Sequence, residues 1–327
     1  MSFENKIFFD KDVSLDKLKN KKVGIIGYGN QGRAQALNLN ESGIDIIVGL
    51  RENSNKKSKV KKDGLRYMLI KDLVSSCDLI SILIPDSQIP RLFKNIAKLL
   101  KKNQTILFSH GYTVVNNEIE IPDYINVIMV APSGGGAVVR SEYKKGFGVP
   151  ALIAVEQDFS SNSMSIALSY SKAIGATKAA AFISTFKEEV ETDLFGEQVV
   201  LTGSIPMIII ESYKVLIKKG YSPIVSWFVC FYETKTIIDL MFENGMQNFY
   251  ESISDTARYG GVSRGNKLID KSFKNKMENI LEDIQNGHFD KELKNSIANN
   301  VNYKSNEVFS SKEFNEIEEL LLKKIKN

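Results

Sequence analysis

Histidine and cysteine are almost missing from this sequence, with two of each in 327 residues: His110 and His288, Cys77 and Cys230. Two histidines leave no room for a multi-histidine metal centre. Two cysteines do not make a disulfide framework, so a reduced, cytoplasmic setting is expected. A strong charge of one sign is also lacking. The net charge is +4, and the lysines of the 56–62 stretch are few and mixed with polar residues, which gives no reason to expect a nucleic-acid partner. Met1–Asp10 is polar and acidic, without the apolar core of a secretory leader. The longest apolar runs are interrupted by charge, so no membrane span is expected. What remains is 43% hydrophobic and 25% charged, the profile of a globular chain long enough for two domains.

Against that background the stretch Phe186–Gln198, FKEEVETDLFGEQ, carries five carboxylates: Glu188, Glu189, Glu191, Asp193 and Glu197. It has no proline and is rich in good helix formers, so it reads as helix. Asp193 and Glu197 are four apart and share a face, where like charges repel. Two carboxylates aimed at one point suit a hard cation such as Mg²⁺ better than Zn²⁺, since neither Cys nor His accompanies them. On spacing alone, a solvated acidic face is the simpler reading.

Upstream, the chain alternates strand and helix. Lys22–Gly27 is a short apolar run that reads as a buried parallel strand. Gly27, Tyr28, Gly29, Asn30, Gln31 and Gly32 follow at once and open a helix, the context a dinucleotide fingerprint requires. In that pattern Gly27 permits the turn, Gly29 lets the backbone approach a pyrophosphate, and Gly32 lets helix pack on strand. After the next strand, Ile44–Gly49, NAD-binding chains usually place an acidic residue for the ribose diol. Here stand Arg51, Ser54, Lys56, Lys57 and Ser58, phosphate-binding types that favour NADPH over NADH, with Glu52 the one dissenting residue. Strands are expected at Asp78–Pro85, Thr105–Phe108, Asn126–Val130, Ala151–Val155 and Lys178–Phe182, giving a doubly wound Rossmann-type parallel sheet. Asp86, His110 and Ser133, the last leading into Gly134–Gly136, fall just after strands, on the same edge as the fingerprint, and so point to one site.

From Thr185 onward helices take over. Ser222-Pro223 opens a long apolar helix with Gly245 as its cap, Lys271–Asn286 is amphipathic, and Ser310-Ser311-Lys312-Glu313 is a capping-box pattern opening a final helix. The runs Ile205–Ile210 and Ile224–Tyr232 carry more apolar surface than one small bundle needs, which suggests burial against another copy. The expected division is 1–183, a dinucleotide-binding domain, and 184–327, a helical domain.

KEEVETDLFGEQ resembles the metal-binding helix of ketol-acid reductoisomerases. The likeness recurs in KVGIIGYGNQGRAQALNL, VIMVAPSGGGAVVR, GVPALIAVEQD and YESISDTARYG, in the order and spacing of the short, single-knot form of that family. The resemblance implies NADPH and Mg²⁺ as cofactors, a small-molecule substrate, and a homodimer or larger homo-oligomer built through a knotted helical domain, with each site shared between subunits. It implies that Asp193 and Glu197 bind metal, together with Glu233 from a partner's helix, and that Glu233 takes part in catalysis. By the same resemblance, His110 would lie beside the nicotinamide and Ser254 would hold the substrate carboxylate, both as catalytic residues, Asp86 and Gly136 would belong to the cofactor site, and Arg140 matches. Four positions depart. Val229 stands where the family has another metal-binding carboxylate, and Ser133 where it has a lysine. Val115 and Ala137 replace histidines.

Three readings follow: a ketol-acid reductoisomerase converting an acetohydroxy acid to a 2,3-dihydroxy acid; a divergent NADPH-dependent reductase of a 2-keto acid, ketone or imine that no longer isomerises; and a non-catalytic cofactor-binding dimer. The retention of Asp193, Glu197, Glu233, His110 and Ser254 argues against the third.

Overall fold

The computed structural model describes residues 6–299, Val301 and 311–325. The chain divides into two compact units, Met1–Val190 and Glu191–Asn327. The strands of the first are β1 (Ile7–Phe8), β2 (Val23–Ile26), β3 (Ile46–Leu50), β4 (Tyr67–Leu69), β5 (Leu79–Ile82), β6 (Thr105–Phe108), β7 (Asn126–Pro132), β8 (Ala151–Gln157) and β9 (Ala181–Ile183). They form one sheet in the order β1-β9-β8-β7-β6-β5-β2-β3-β4. Its helices are α1 (Asn30–Glu41), α2 (Lys57–Lys62), α3 (Ile70–Ser76), α4 (Ile89–Ile96), α5 (Tyr112–Val115), α6 (Gly136–Lys144) and α7 (Ser163–Ala173), followed by the start of α8 (Phe186–Phe195).

Successive strand residues feed opposite faces of the sheet, as the two-residue repeat requires. Ile25 and Leu107 join one buried cluster with Leu39 and Tyr170. Ile26, Ile106 and Phe108 join the other, with Phe93 and Phe186. A sheet covered on both sides explains why the strands read as continuous apolar runs. The sheet is not wholly parallel: β7–β8 and β1–β9 are antiparallel pairs. Pro132, at the end of β7, pairs with Ala151, at the start of β8. The intervening α6 sits against α1, so the chain re-enters the sheet from the edge it left. β1 and β4 have two and three residues, too few to show a period in sequence.

The second unit is helical: α9 (Ser204–Lys218), α10 (Pro223–Trp227), α11 (Glu233–Phe249), α12 (Asp255–Leu268), α13 (Lys271–Gln285), α14 (His288–Ala298) and α15 (Lys312–Ile325). Its buried cluster is Ile210, Tyr213, Trp227, Phe314 and Ile317. Tyr213 and Phe314 meet edge to face at 5.0 Å. Asp270 and Ser311 cap their helices, accepting from Phe273 N at 2.9 Å and Phe314 N at 3.2 Å. Ser310, expected to share the cap, lies outside the described residues. Gly245 does not end the long helix. Its backbone (φ 76°, ψ 156°) breaks α11 internally, and helical turns resume to Phe249.

Contrary to the sequence expectation, one helical stretch, Phe186–Lys218, is long and apolar enough by length and composition to cross a membrane. It is not one regular helix. Residues Gly196–Leu201 form a π-helical segment, Gly203 is non-helical (φ −87°, ψ −84°), and Ile210 and Tyr213 pack into the unit's own core.

Candidate active site

The glycine turn between β2 and α1 divides its work by residue. Gly27 has φ +104°, and a Cβ there would lie 2.4 Å from Leu83 O. That combination requires glycine. A Cβ on Gly32 would come within 2.3 Å of Gly27 O, so α1 can close onto the turn only without a side chain. Gly29 is different: apart from its chain neighbours, no atom of the described residues lies within 4 Å of where its Cβ would stand. The space left there, at the N-terminus of a twelve-residue helix, suits an anionic group held by backbone N–H donors.

Gly27, Tyr28, Gly29, Arg51, Ser54 and Lys56 line one cavity of about 940 Å³, large enough for a dinucleotide's adenosine half. Ser54 braces its own loop, with its N–H donating to Arg51 O and its Oγ accepting from Lys56 N. Arg51 and Lys56 are exposed. Asn30 and Gly136 instead line a second cavity of about 390 Å³. A Cβ on Gly136 would lie 2.2 Å from Asn30 O, so the starts of α6 and α1 are in van der Waals contact. Gln31, Gly32, Asp86 and His110 line neither cavity. The Gln31 amide donates to Gly134 O at 2.8 Å. Tyr28 is buried, and its hydroxyl donates to Asp63 at 2.7 Å. Arg33 grips the same carboxylate with Nε and Nη2, both at 2.7 Å. This bidentate pair, helped by Tyr28, lowers the Asp63 carboxyl to about 2. Arg140 pairs with Glu41 and donates to Asn38 Oδ1 at 2.8 Å, tying α6 to α1.

At the ends of β5 and β6 stand Asp86 and His110. Burial raises the Asp86 carboxyl, opposed by the nearby His110. His110 Nδ1 lies 2.9 Å from Glu189 Oε1, and Glu189 Oε2 accepts from Gly111 N at 2.9 Å. Glu189 is 3% exposed, so this carboxylate is part of the interior. In the sequence Glu189 is one acid among the five of this stretch. The signal was present in the spacing: Phe186, Glu189 and Val190 form the buried stripe of α8, and an acid on an otherwise apolar stripe needs a partner.

In the second unit, Asp193 and Glu197 are exposed and straddle the change from α8 to the π segment Gly196–Leu201. A second π segment, Phe228–Tyr232, directly precedes Glu233 and contains Val229. Both helices that carry candidate metal ligands thus widen where those ligands stand, a distortion found often at functional sites. The all-oxygen donor set of exposed carboxylates suits a hard cation such as Mg²⁺. Ser254 is the N-cap of α12, accepting from Ala257 N at 3.2 Å, which places it at a helix start that favours anions.

Residues 17–180 match the family model described as the NADPH-binding domain of acetohydroxy acid isomeroreductase, and residues 186–325 match the C-terminal domain of ketol-acid reductoisomerase. The chain belongs to the ketol-acid reductoisomerase family. It is 46% identical over 288 residues to the ketol-acid reductoisomerase (NADP(+)) of Methanocaldococcus jannaschii, covering 88% of this chain and 87% of that one. With the enzyme of the same name from Methanopyrus kandleri it shares 42% over 321 residues, covering 97% and 98%. Its structure matches that of an NADH-preferring ketol-acid reductoisomerase from an uncultured archaeon with a TM-score of 0.91, at 34% identity, covering 97% of this chain and 98% of that one. The membership agrees with the motif likeness and with the Rossmann-type and helical parts.

Proposed function

We propose that this chain is a ketol-acid reductoisomerase that uses NADPH and Mg²⁺ to convert an acetohydroxy acid into a 2,3-dihydroxy acid. The observation that carries the cofactor half is the 940 Å³ cavity, which joins the open space at Gly29 to the Arg51, Ser54 and Lys56 loop. Those three residues would hold the 2′-phosphate, and relatives named for NADP(+) are 42–46% identical, against 34% for the NADH-preferring one. When bound, Mg²⁺ supplies Lewis-acid polarisation of the ketol oxygens and NADPH supplies hydride. Asp193, Glu197 and Glu233 would hold the metal. Glu189 fixes the His110 ring at Nδ1 beside the reacting ketone, and Ser254 receives the substrate carboxylate at the start of α12. The division of the chain at 183/184 into a cofactor-binding and a helical domain is part of the same reading.

Glu233 would act in a neighbouring copy's site. Phe242, Leu268, Tyr259 and Met246 are 90%, 74%, 72% and 66% exposed, an apolar surface that supports a homodimer or larger assembly through the helical unit. Cys77 and Cys230 are both free thiols, which fits a cytoplasmic setting.

A second reading, reduction without isomerisation, is favoured by Val229 and Ser133. The chain has an apolar side chain where a ligand is expected and no cation in the loop after β7. Mg²⁺ retains waters readily, so one missing carboxylate weakens its site without removing it. Steady-state NADPH oxidation separates the two readings. Turnover of an acetohydroxy acid supports the full reaction, and turnover of only a 3-hydroxy-2-keto acid selects the reductase.

A further inference from the structure

Inside the first unit runs a chain of side-chain hydrogen bonds whose direction is fixed at one end. Gly134 O can only accept, so the Gln31 amide must turn its NH₂ toward it, at 2.8 Å. The Gln31 oxygen therefore faces Gln35, which donates from Nε2 at 3.1 Å. The same nitrogen donates to Ser109 Oγ at 3.1 Å. The Gln35 oxygen then faces Tyr170, whose hydroxyl donates at 2.8 Å and lies 3.2 Å from Ser81 Oγ. Gln35, Tyr170 and Ser81 are fully buried. This relay touches the fingerprint helix at Gln31, the loop before His110 at Ser109, and the loop after β7 at Gly134. Buried amides that use both ends in this way specify geometry, because reversing one reverses all of them.

We propose that Gln35 is a positioning residue for hydride transfer: it anchors the Gln31 amide, which holds the Ser133–Gly136 loop, and itself holds Ser109, so that this loop and the Ser109–His110 loop stay at one fixed distance from the glycine turn. The proposal rests on the proposed function, with the nicotinamide beside His110 as the family resemblance implies and the loop after β7 on the same edge of the sheet. Gln35 touches neither cavity, so it acts through the residues it orients. Replacing it by an acceptor-only group of the same shape turns Gln31 around. The Gln31 oxygen then opposes Gly134 O, and the loop is released while the adenosine side is untouched.

The test compares wild type with Gln35→Glu and Gln35→Met, each checked for folding by thermal melting. Hydrogen exchange of amides in residues 134–139 should quicken about tenfold in both variants, as expected when a buried hydrogen bond is lost. The NADPH dissociation constant, measured by fluorescence, should change little, while kcat falls about tenfold or more. A general loss of packing would move both together. Unchanged exchange and kcat in a folded Gln35→Met variant would overturn the proposal. If neither variant folds, Gln31→Met, at a half-buried position, must show the same loop exchange without cofactor, and its absence is equally fatal. Faster exchange in a protein that turns over no ketol acid or keto acid would uphold the relay and discard the proposed function instead.

Discussion

In the first unit, Ile106, Leu107 and Phe108 are at most 1% exposed, and strand residues of both parities find cover. In the second, α12, α13 and α14 bury no residue in the single chain, and Phe242 stands 90% exposed. A Rossmann-type sheet is closed by its own crossover helices, so its apolar side chains are satisfied within one copy. A set of helices whose apolar stripes face outward is satisfied only by another surface. The contrast shows where the chain is self-sufficient and where the proposed assembly does the work. It also separates the proposed roles, with the cofactor on the closed unit and the metal ligands on the open one.

Asp193→Asn should cut that division most deeply. Mg²⁺-dependent turnover is expected to fall at least about a thousandfold, because metal polarisation lowers the barrier by several kcal/mol. NADPH affinity should be unchanged. Calorimetric titration of Mg²⁺ into the NADPH-bound protein should lose its signal, and an intact isotherm would mean that the acidic helix is only a solvated face. Phe108→Ala, in the closed unit, should cost about 3–5 kcal/mol of stability. Denaturant melts at several protein concentrations should show the same loss at each one. A concentration-dependent loss would erase the contrast drawn here.

Phe242→Asp tests the open unit from the other side. Sedimentation should show a smaller assembly, with a lower melting temperature that depends less on protein concentration than that of the wild type, as mass action requires. An unaltered sedimentation coefficient would remove Phe242 from the proposed interface. Arg51→Ala should weaken NADPH binding about tenfold or more while leaving NADH nearly unaffected, because a charge-assisted contact to phosphate is lost. Equal losses for both cofactors would count against a phosphate-binding loop. The smallest effect is the acid dependence of Asp63. Its carboxyl is lowered from 3.8 to about 2, so it stabilises the fold above about pH 4 and ceases to as the pH falls through 2. Asp63→Asn should therefore melt lower than wild type at neutral pH, with the gap closing between pH 4 and 2.

The sheet was legible because each buried strand is a short apolar run ended by glycine or a polar turn, as in Lys22–Gly27. β4 was not, because three half-covered residues carry no period. The antiparallel β8 was hidden as well, since an apolar run does not record its direction. Among site residues, the glycine turn and Arg51 could be read from their order along the chain. The burial of Glu189 could be read from its place on the apolar stripe of α8, but its partner could not, since that partner is a loop 78 residues away. Gln35 sat unnoticed among good helix formers, because an amide in a helix gives no sign of being buried.

The two π segments have a consequence for how this chain tolerates change in length. A π turn holds a residue more than the helix around it needs, so removing one from Gly196–Leu201 or Phe228–Tyr232 would leave a regular helix rather than a broken one. Because the wide turn takes up that residue, side chains beyond the cut would keep close to their present directions, whereas the same deletion inside a regular helix such as α9 would turn everything after it by about 100°. A single-codon deletion is therefore tolerated best in the two turns beside the candidate ligands, where it would remove the local widening and re-aim little else.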